Sequence, residues 1–386
     1  MRNKRTATIT WVKHYNFGTI LQAYALQQYI LYLGYENHIL NDTYIIEPDQ
    51  KKSNIFFIRV IQWVKLLLNP SFKLYYKNKV KSKKLFIRFI TDYLLIDYDT
   101  DWRLFDDKYD QYIVGSDQIW NPGPIWYKEL NTPFYYAGFT NKKKISYASS
   151  LGVSAYPDKH LKQFREYLSD YKYLSAREDI GCKIIADITG KEVTHVVDPT
   201  LLLPSDNWRK LIGEKPTSHE KYVLAYFLSD NKYYLDYVRQ YASKYHLSLK
   251  MFHNLKKYSC CADELVAAGP LEFLQYIDGA SILFTDSFHG TLFAIQLDTP
   301  FVAFKRFNGQ NEGQNQRLIS LLSTLDISDR FIREDNCEKI EGKSPVKYVF
   351  SATSSTSIFV PKNETYDDTR RSCRNYYVLQ GTQSNL

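Results

Sequence analysis

The chain has no run approaching the ~20 apolar residues that a membrane-spanning helix requires. It is also poor in cysteine. Cys182, Cys260, Cys261, Cys337 and Cys373 are odd in number and form no CxxC, which argues against a disulfide framework or a zinc knuckle and for a reducing compartment. Its eight histidines are scattered, with no HExxH or HxH pair, so no metal site is expected. There is no P-loop, no GxSxG elbow and no GxGxxG fingerprint. The first ten residues are basic but lack a long apolar run, so no signal peptide is expected. These absences predict a cytoplasmic protein, with the inner face of the cytoplasmic membrane as a second location to test.

What is present is a globular composition over 386 residues, a length that favours two domains over one core. Tyrosine is abundant, at 33 residues. Its ring packs on sugar C–H bonds while its hydroxyl donates, although the same residues also serve as ordinary core and surface filler. The formal charge of +8 is concentrated in residues 51–90, which hold eleven Lys/Arg and no Asp or Glu. With those eleven set aside, +8 becomes −3, so no nucleic-acid partner is expected. A basic, aromatic-rich segment of this kind suits either a solvated helical hairpin on the first domain or a contact with an anionic membrane surface.

The hydrophobic pattern predicts an α/β fold. Residues 6–12 read as a strand, and Ala23, Leu26, Ile30 and Leu33 recur at helical spacing before Gly34. Strand-like runs follow at 112–117, 144–151, 173–177 and 194–203, with a helix through Ile180, Ile184 and Ile185. From about residue 220, strands (221–228, 247–252, 281–287, 300–305) alternate with helices (233–245, 271–280, 289–297). This alternation predicts two Rossmann-like doubly wound domains facing a cleft. The expected division is 1–210, carrying 51–90 as a basic helical insertion, then 211–340, then a tail 341–386 with a late helix packing back on the first domain.

Polar clusters fall where strands end, which is where such folds bind ligands. In FTDSFHGTLFAIQL (284–297), Ser287 reads as a helix N-cap and Gly290 as room for a ligand. His289 reads as a general acid/base or phosphate donor, or as a capping residue. The helix start would favour an anion. In GSDQIWNPG (115–123), Ser116, Asp117, Gln118 and Asn121 offer hydrogen bonds, and Trp120 is either a sugar platform or core. Arg177 can clamp phosphate or carboxylate, or pair with Glu178 or Asp179. Asn16 and Gly18 form a turn whose N–H groups suit a phosphate. Asp198 orders a loop or acts as a base, and His195 reads as structural.

Taken together, NFGTILQAYAL (16–26), VGSDQIWNPG (114–123), SYASSLG (146–152), SAREDIG (175–181), VVDPTLLL (196–203) and TDSFHGTLFAIQL (285–297) resemble the polysaccharide pyruvyl transferase family, in the family's order. The resemblance implies a GT-B-like fold of two Rossmann-like domains, phosphoenolpyruvate as donor, a saccharide acceptor and a cyclic pyruvate ketal as product; no cofactor is expected, and a membrane contact through 51–90 would suit a lipid-linked acceptor. It marks His289 and Arg177 as donor-binding. Some members carry an Arg two residues before this His, where Ser287 stands here, so Lys305, Arg306 and Arg317 are the expected substitute cations. Arg177 and His289 are expected to meet in one interdomain pocket, with Asp117 or Asp198 handling the acceptor hydroxyl. Two rivals remain: a GT-B glycosyltransferase using a nucleotide sugar, and a non-catalytic saccharide-binding assembly protein.

Overall fold

A computed structural model describes residues 4–12, 15–41, 69–99, 101, 104–122, 133–213, 220–252, 262–306, 315–332, 348–353 and 356–361. The chain divides into two compact units. The first comprises 1–46, 90–204 and 350–386, and the second comprises 47–89 and 205–349.

The first unit is a parallel sheet of β1 (Arg5–Ile9), β2 (Glu36–Leu40), β3 (Ile96–Asp97), β4 (Gln111–Val114) and β5 (Lys143–Ser146), in the order β3-β2-β1-β4-β5. Single bridges, Ile145 to Tyr173 and Ser149 to Ala176, join it to the parallel pair β6 (Leu174–Ala176) and β7 (Val193–His195). β1 and β4 are buried along almost their whole length, as strands covered on both faces must be. α1 (Phe17–Tyr32) begins at the N-cap Asn16, whose side chain accepts from Thr19 N, and ends before Gly34 at φ 85°. Its small and apolar residues bury most of its circumference.

In the second unit α2 (Pro70–Tyr93) starts the described structure, its last turn falling to the first unit. The first unit also holds α3 (Phe105–Lys108), α4 (Leu161–Leu168) and α5 (Asp179–Thr189). The second continues with α6 (Ser205–Ile212), β8 (Tyr222–Tyr226), α7 (Lys232–Lys244), β9 (Ser248–Phe252), β10 (Glu264–Val266), α8 (Pro270–Gly279), β11 (Ile282–Thr285), α9 (Phe288–Gln296), β12 (Phe301–Phe304), α10 (Gln316–Thr324) and β13 (Phe331–Ile332). The sheet order β10-β9-β8-β11-β12-β13, all parallel, is the Rossmann order 3-2-1-4-5-6.

The expected class, α/β with two Rossmann-like sheets, is therefore present. Several local expectations change. The run 194–203 is a strand only to His195; beyond it Asp198 caps a 3-10 turn, Pro199–Leu201, against α1. The second unit begins at Ser205 because α6 belongs to its core: Trp208 meets Phe293 edge-on at 4.9 Å, and Arg209 donates to Leu297 O. The described part of the basic segment is α2, and it groups with the second unit rather than the first. There Asn78 Nδ2 donates to Leu265 O at 2.7 Å and Ser82 Oγ donates to Ala268 O. Gly269 makes this approach possible, since a Cβ on it would lie 2.7 Å from Leu85 Cβ. Residues 51–68 lie outside the described residues. The expected late helix does too; the described tail residues form the strand pair β14 (Tyr348–Thr353) and β15 (Thr356–Pro361).

Trp120 is core and not a sugar platform. It is fully buried, stacks on Tyr136 with 8° between planes, meets Phe164 and Tyr171 edge-on, and donates from Nε1 to Tyr135 O. Trp120→Ala should cost about 3–5 kcal/mol of unfolding free energy, read from the midpoint of a denaturant titration. A shift within error of zero would contradict this placement.

Candidate functional site

Each sheet reverses its strand order between its first and fourth strands, β1/β4 in one unit and β8/β11 in the other. Helices leave such a point on opposite faces and open a crevice at the strand C-termini. Most of the sequence-predicted site residues lie at these two places.

At the first reversal the residues hold one another. Gln22 bridges the two strand ends: its Nε2 donates to Thr10 Oγ1 and its Oε1 accepts from Ser116 N. Ser116 is fully buried and donates to Ala148 O, which removes it from acceptor binding. Gln118 Oε1 accepts from Asn121 Nδ2 at 2.6 Å, so these two expected acceptor contacts bond to each other. Asn16 is used as the α1 cap, and Gly18 is buried in that helix's first turn. Gly115 is dictated by crowding, because a Cβ there would lie 2.1 Å from Tyr147 O.

Arg177 corrects the expectation most sharply. Its side chain is 2% exposed and faces three carboxylates: Asp198 at 2.7 Å, Glu178 at 3.0 Å and Asp117 at 3.8 Å. Burial pulls its pKa down, but Glu178, Asp198 and Asp117 outweigh that, and the guanidinium is held above its ordinary value. It is charged at every pH where the chain folds. A cation already surrounded by three carboxylates is a poor clamp for an incoming dianion. The salt-bridge reading with Glu178 is the one realised. Asp198 is spent in the same way: Oδ2 takes Arg177, and Oδ1 takes both Thr200 N and Thr200 Oγ1. It orders its loop and is not placed as a base. Asp117 keeps some exposure, accepts from Thr19 Oγ1 at 2.6 Å and sits at the crevice edge. His195 bonds through Nε2 to Arg177 O, a structural role.

The second reversal has the opposite electrostatic character. Ser287 caps α9, its Oγ accepting from Gly290 N at 3.2 Å. Thr285 Oγ1 accepts from Ser287 N and donates to Tyr226 O, locking the turn to β8. Gly290 serves packing rather than ligand approach: a Cβ would lie 2.7 Å from Thr285 Oγ1 and 3.1 Å from Tyr226 Cδ1. His289 is therefore held in the first turn of α9, at its positive end. Arg317, at the start of α10, lies 5.8 Å over the Phe288 ring next to His289. Arg306 follows β12, donates its backbone N–H to Asn315 Oδ1, and is close enough to lower the pKa values of Asp286 and Tyr226. Lys305 precedes it, its carbonyl accepting from Tyr234.

Asp286 does not cancel this positive field freely, because Leu228 N, Ser229 N and Ser229 Oγ all donate to it. Burial nevertheless raises its pKa, against those bonds and Arg306. Tyr226, hydrogen-bonded to Ser287, is also raised by burial. Sequence reasoning passed over Thr19, Gln22, Glu178, Tyr226 and Asp286 as site residues. Their only signal was position beside a strand end. Among the described residues no group of His, Cys, Asp and Glu is arranged to hold a metal ion.

A parallel, doubly wound sheet in each unit, with a helix-start histidine and arginines at the second unit's order reversal, defines an α/β protein of the Rossmann-like class. The sequence model of the family described as polysaccharide pyruvyl transferase matches residues 16–306, three quarters of the chain and all six motifs. The chain belongs to that family, and so is a transferase acting on polysaccharide. No curated protein matches it in sequence. Among solved structures it is similar to the UDP-GlcNAc 2-epimerase of Methanocaldococcus jannaschii, at 13% identity over 87% of this chain and 90% of that one, with a TM-score of 0.44. It is also similar to a glycosyltransferase from Rickettsia africae (11%, 86% and 91%, TM-score 0.41) and to the E. coli heptosyltransferase WaaC (12%, 83% and 99%, TM-score 0.36).

Two stability measurements test this geometry. Arg177→Ala leaves three buried carboxylates without their cation and should cost about 3–5 kcal/mol. Asp286 has a raised folded pKa, so its ionised form costs stability at neutral pH and the cost is relieved as pH falls through the folded value. Asp286→Asn should remove that part of the acid-side gain, read as a flatter stability-against-pH curve on the acid side; an unchanged curve would contradict the assignment.

Proposed function

We propose that the chain moves the pyruvyl group of phosphoenolpyruvate onto two hydroxyls of a saccharide in a surface-polysaccharide precursor, forming a cyclic ketal and releasing phosphate. The donor dianion binds the second unit, where the α9 start, His289, Arg306 and Arg317 gather. The observation that carries this reading is that grouping: two arginines beside a helix-start histidine, at the strand-order reversal, in a member of this family. The expectation that Arg177 shares the pocket is dropped, since its charge is spent within the first unit.

The chemistry asks for few groups. A proton added to the methylene carbon makes the neighbouring carbon oxocarbenium-like. One sugar hydroxyl attacks that carbon and a second replaces the phosphate as the C–O bond to phosphorus's oxygen breaks. Of the two hydroxyl protons released, one balances the proton given to carbon and the other leaves with phosphate. His289 donates or accepts a proton at the bridging oxygen or methylene, and the arginines with the α9 amides hold charge that builds on the leaving phosphate. Asp117, whose side chain is 13% exposed, is the acceptor-side group to test.

His289→Ala should lower phosphate release from phosphoenolpyruvate by about 10²-fold or more, with an unchanged thermal unfolding profile. Turnover near that of the parent would remove His289 from the chemistry. Thermal shift against phosphoenolpyruvate and a set of nucleotide sugars separates the glycosyltransferase reading, because the true donor stabilises the fold. Stabilisation by a nucleotide sugar alone would overturn the proposal, and stabilisation by saccharides alone would favour the binding protein.

A further inference from the structure

α2 buries one face and presents another of unusual composition. Asn78, Ser82, Phe86 and Phe89 are 8% exposed or less; Asn78 hydrogen-bonds to Leu265 in β10 and Ser82 to Ala268 just after it. These anchors fix the helix's rotation. On the opposite side, Tyr76, Val80 and Ile87 are 36%, 41% and 47% exposed. Their i, i+4, i+11 spacing places them on one stripe of a 3.6-residue helix. Lys77, Lys81, Lys84 and Arg88 repeat at i, i+4, i+7 and i+11, forming the stripe beside it, with Lys73 and Lys83 on the flanks. All of these cations are exposed, and Asp92, in the last turn, is the helix's one acidic residue.

A helix that merely faces water has no use for three exposed apolar side chains in register, and a contact with a soluble polyanion has no use for them either. An apolar ridge bordered by long cationic side chains suits a bilayer surface. There the ridge enters the headgroup–acyl boundary, while the lysine stems lie along it and their ammonium groups reach the anionic headgroups. Among the described residues no helix is long and apolar enough to cross a membrane, so such a contact is peripheral. We infer that the outward face of α2 docks the second unit on an anionic lipid bilayer. The inference is independent of which donor the catalytic site takes.

The test uses the full chain and vesicles of phosphatidylcholine, alone or mixed equally with phosphatidylglycerol. The chain should sediment with the mixed vesicles and not with phosphatidylcholine alone, and added salt should release it. Lys77→Glu, Lys81→Glu and Lys84→Glu together should weaken that binding at least about tenfold. Tyr76→Ser, Val80→Ser and Ile87→Ser together should weaken vesicle binding severalfold while leaving binding to heparin, a soluble polyanion, unchanged. All six positions are exposed, and unchanged far-ultraviolet circular dichroism confirms folding; Lys84→Glu alone, with a smaller loss in the same direction, serves if a triple variant does not fold. Equal partitioning onto both vesicle types, or no loss on charge reversal, would overturn the inference. So would full vesicle binding by the serine variant, which would point to a soluble polyanion as the partner.

Discussion

The parallel pairing of β1 with β4, and of β8 with β11, is the constraint from which the rest follows. Parallel strands send all their C-termini to one edge, and a change in winding direction between neighbours keeps the following helices from closing over that edge. Polar motifs separated by a hundred residues therefore converge within each unit at the strand ends. The crevice is a consequence of handedness and hydrogen-bond direction, before any side chain is chosen.

The two crevices are then used differently. In the first unit, polar side chains are consumed in holding the strand ends: Gln22 ties β1 to β4, and Arg177 is shared by Asp117, Glu178 and Asp198. A buried charge set of this kind is costly to disturb and ties together the three segments that follow β4, β6 and β7. In the second unit the carboxylate Asp286 is satisfied by amides and a hydroxyl, and Arg306 and Arg317 flank the start of α9.

Much of the fold was legible in the residues. Apolar runs stopped by small polar residues marked β4, β8, β11 and β12, and helical spacing after Asn16, Arg177 and Ser287 marked α1, α5 and α9. Short or mixed segments were not: β10 spans three residues, and the VVDPTLLL run breaks at Asp198 because Pro199 cannot donate to a ladder. The motifs lie at strand ends, but several of their residues serve the protein's own structure. Trp120, Ser116 and Gly290 look like ligand contacts beside a strand end, yet each is used by the protein's own packing.

Local pattern alone therefore determined the α/β alternation, the family motifs and the position of His289 at a helix start, because hydrophobic period and capping chemistry act over a few residues. Tertiary structure decided what surrounds each charge. Arg177 and Arg306 both follow a strand, and no local rule distinguishes them. One ends among three carboxylates and the other beside the α9 turn, because pKa and burial depend on neighbours brought together from distant parts of the chain.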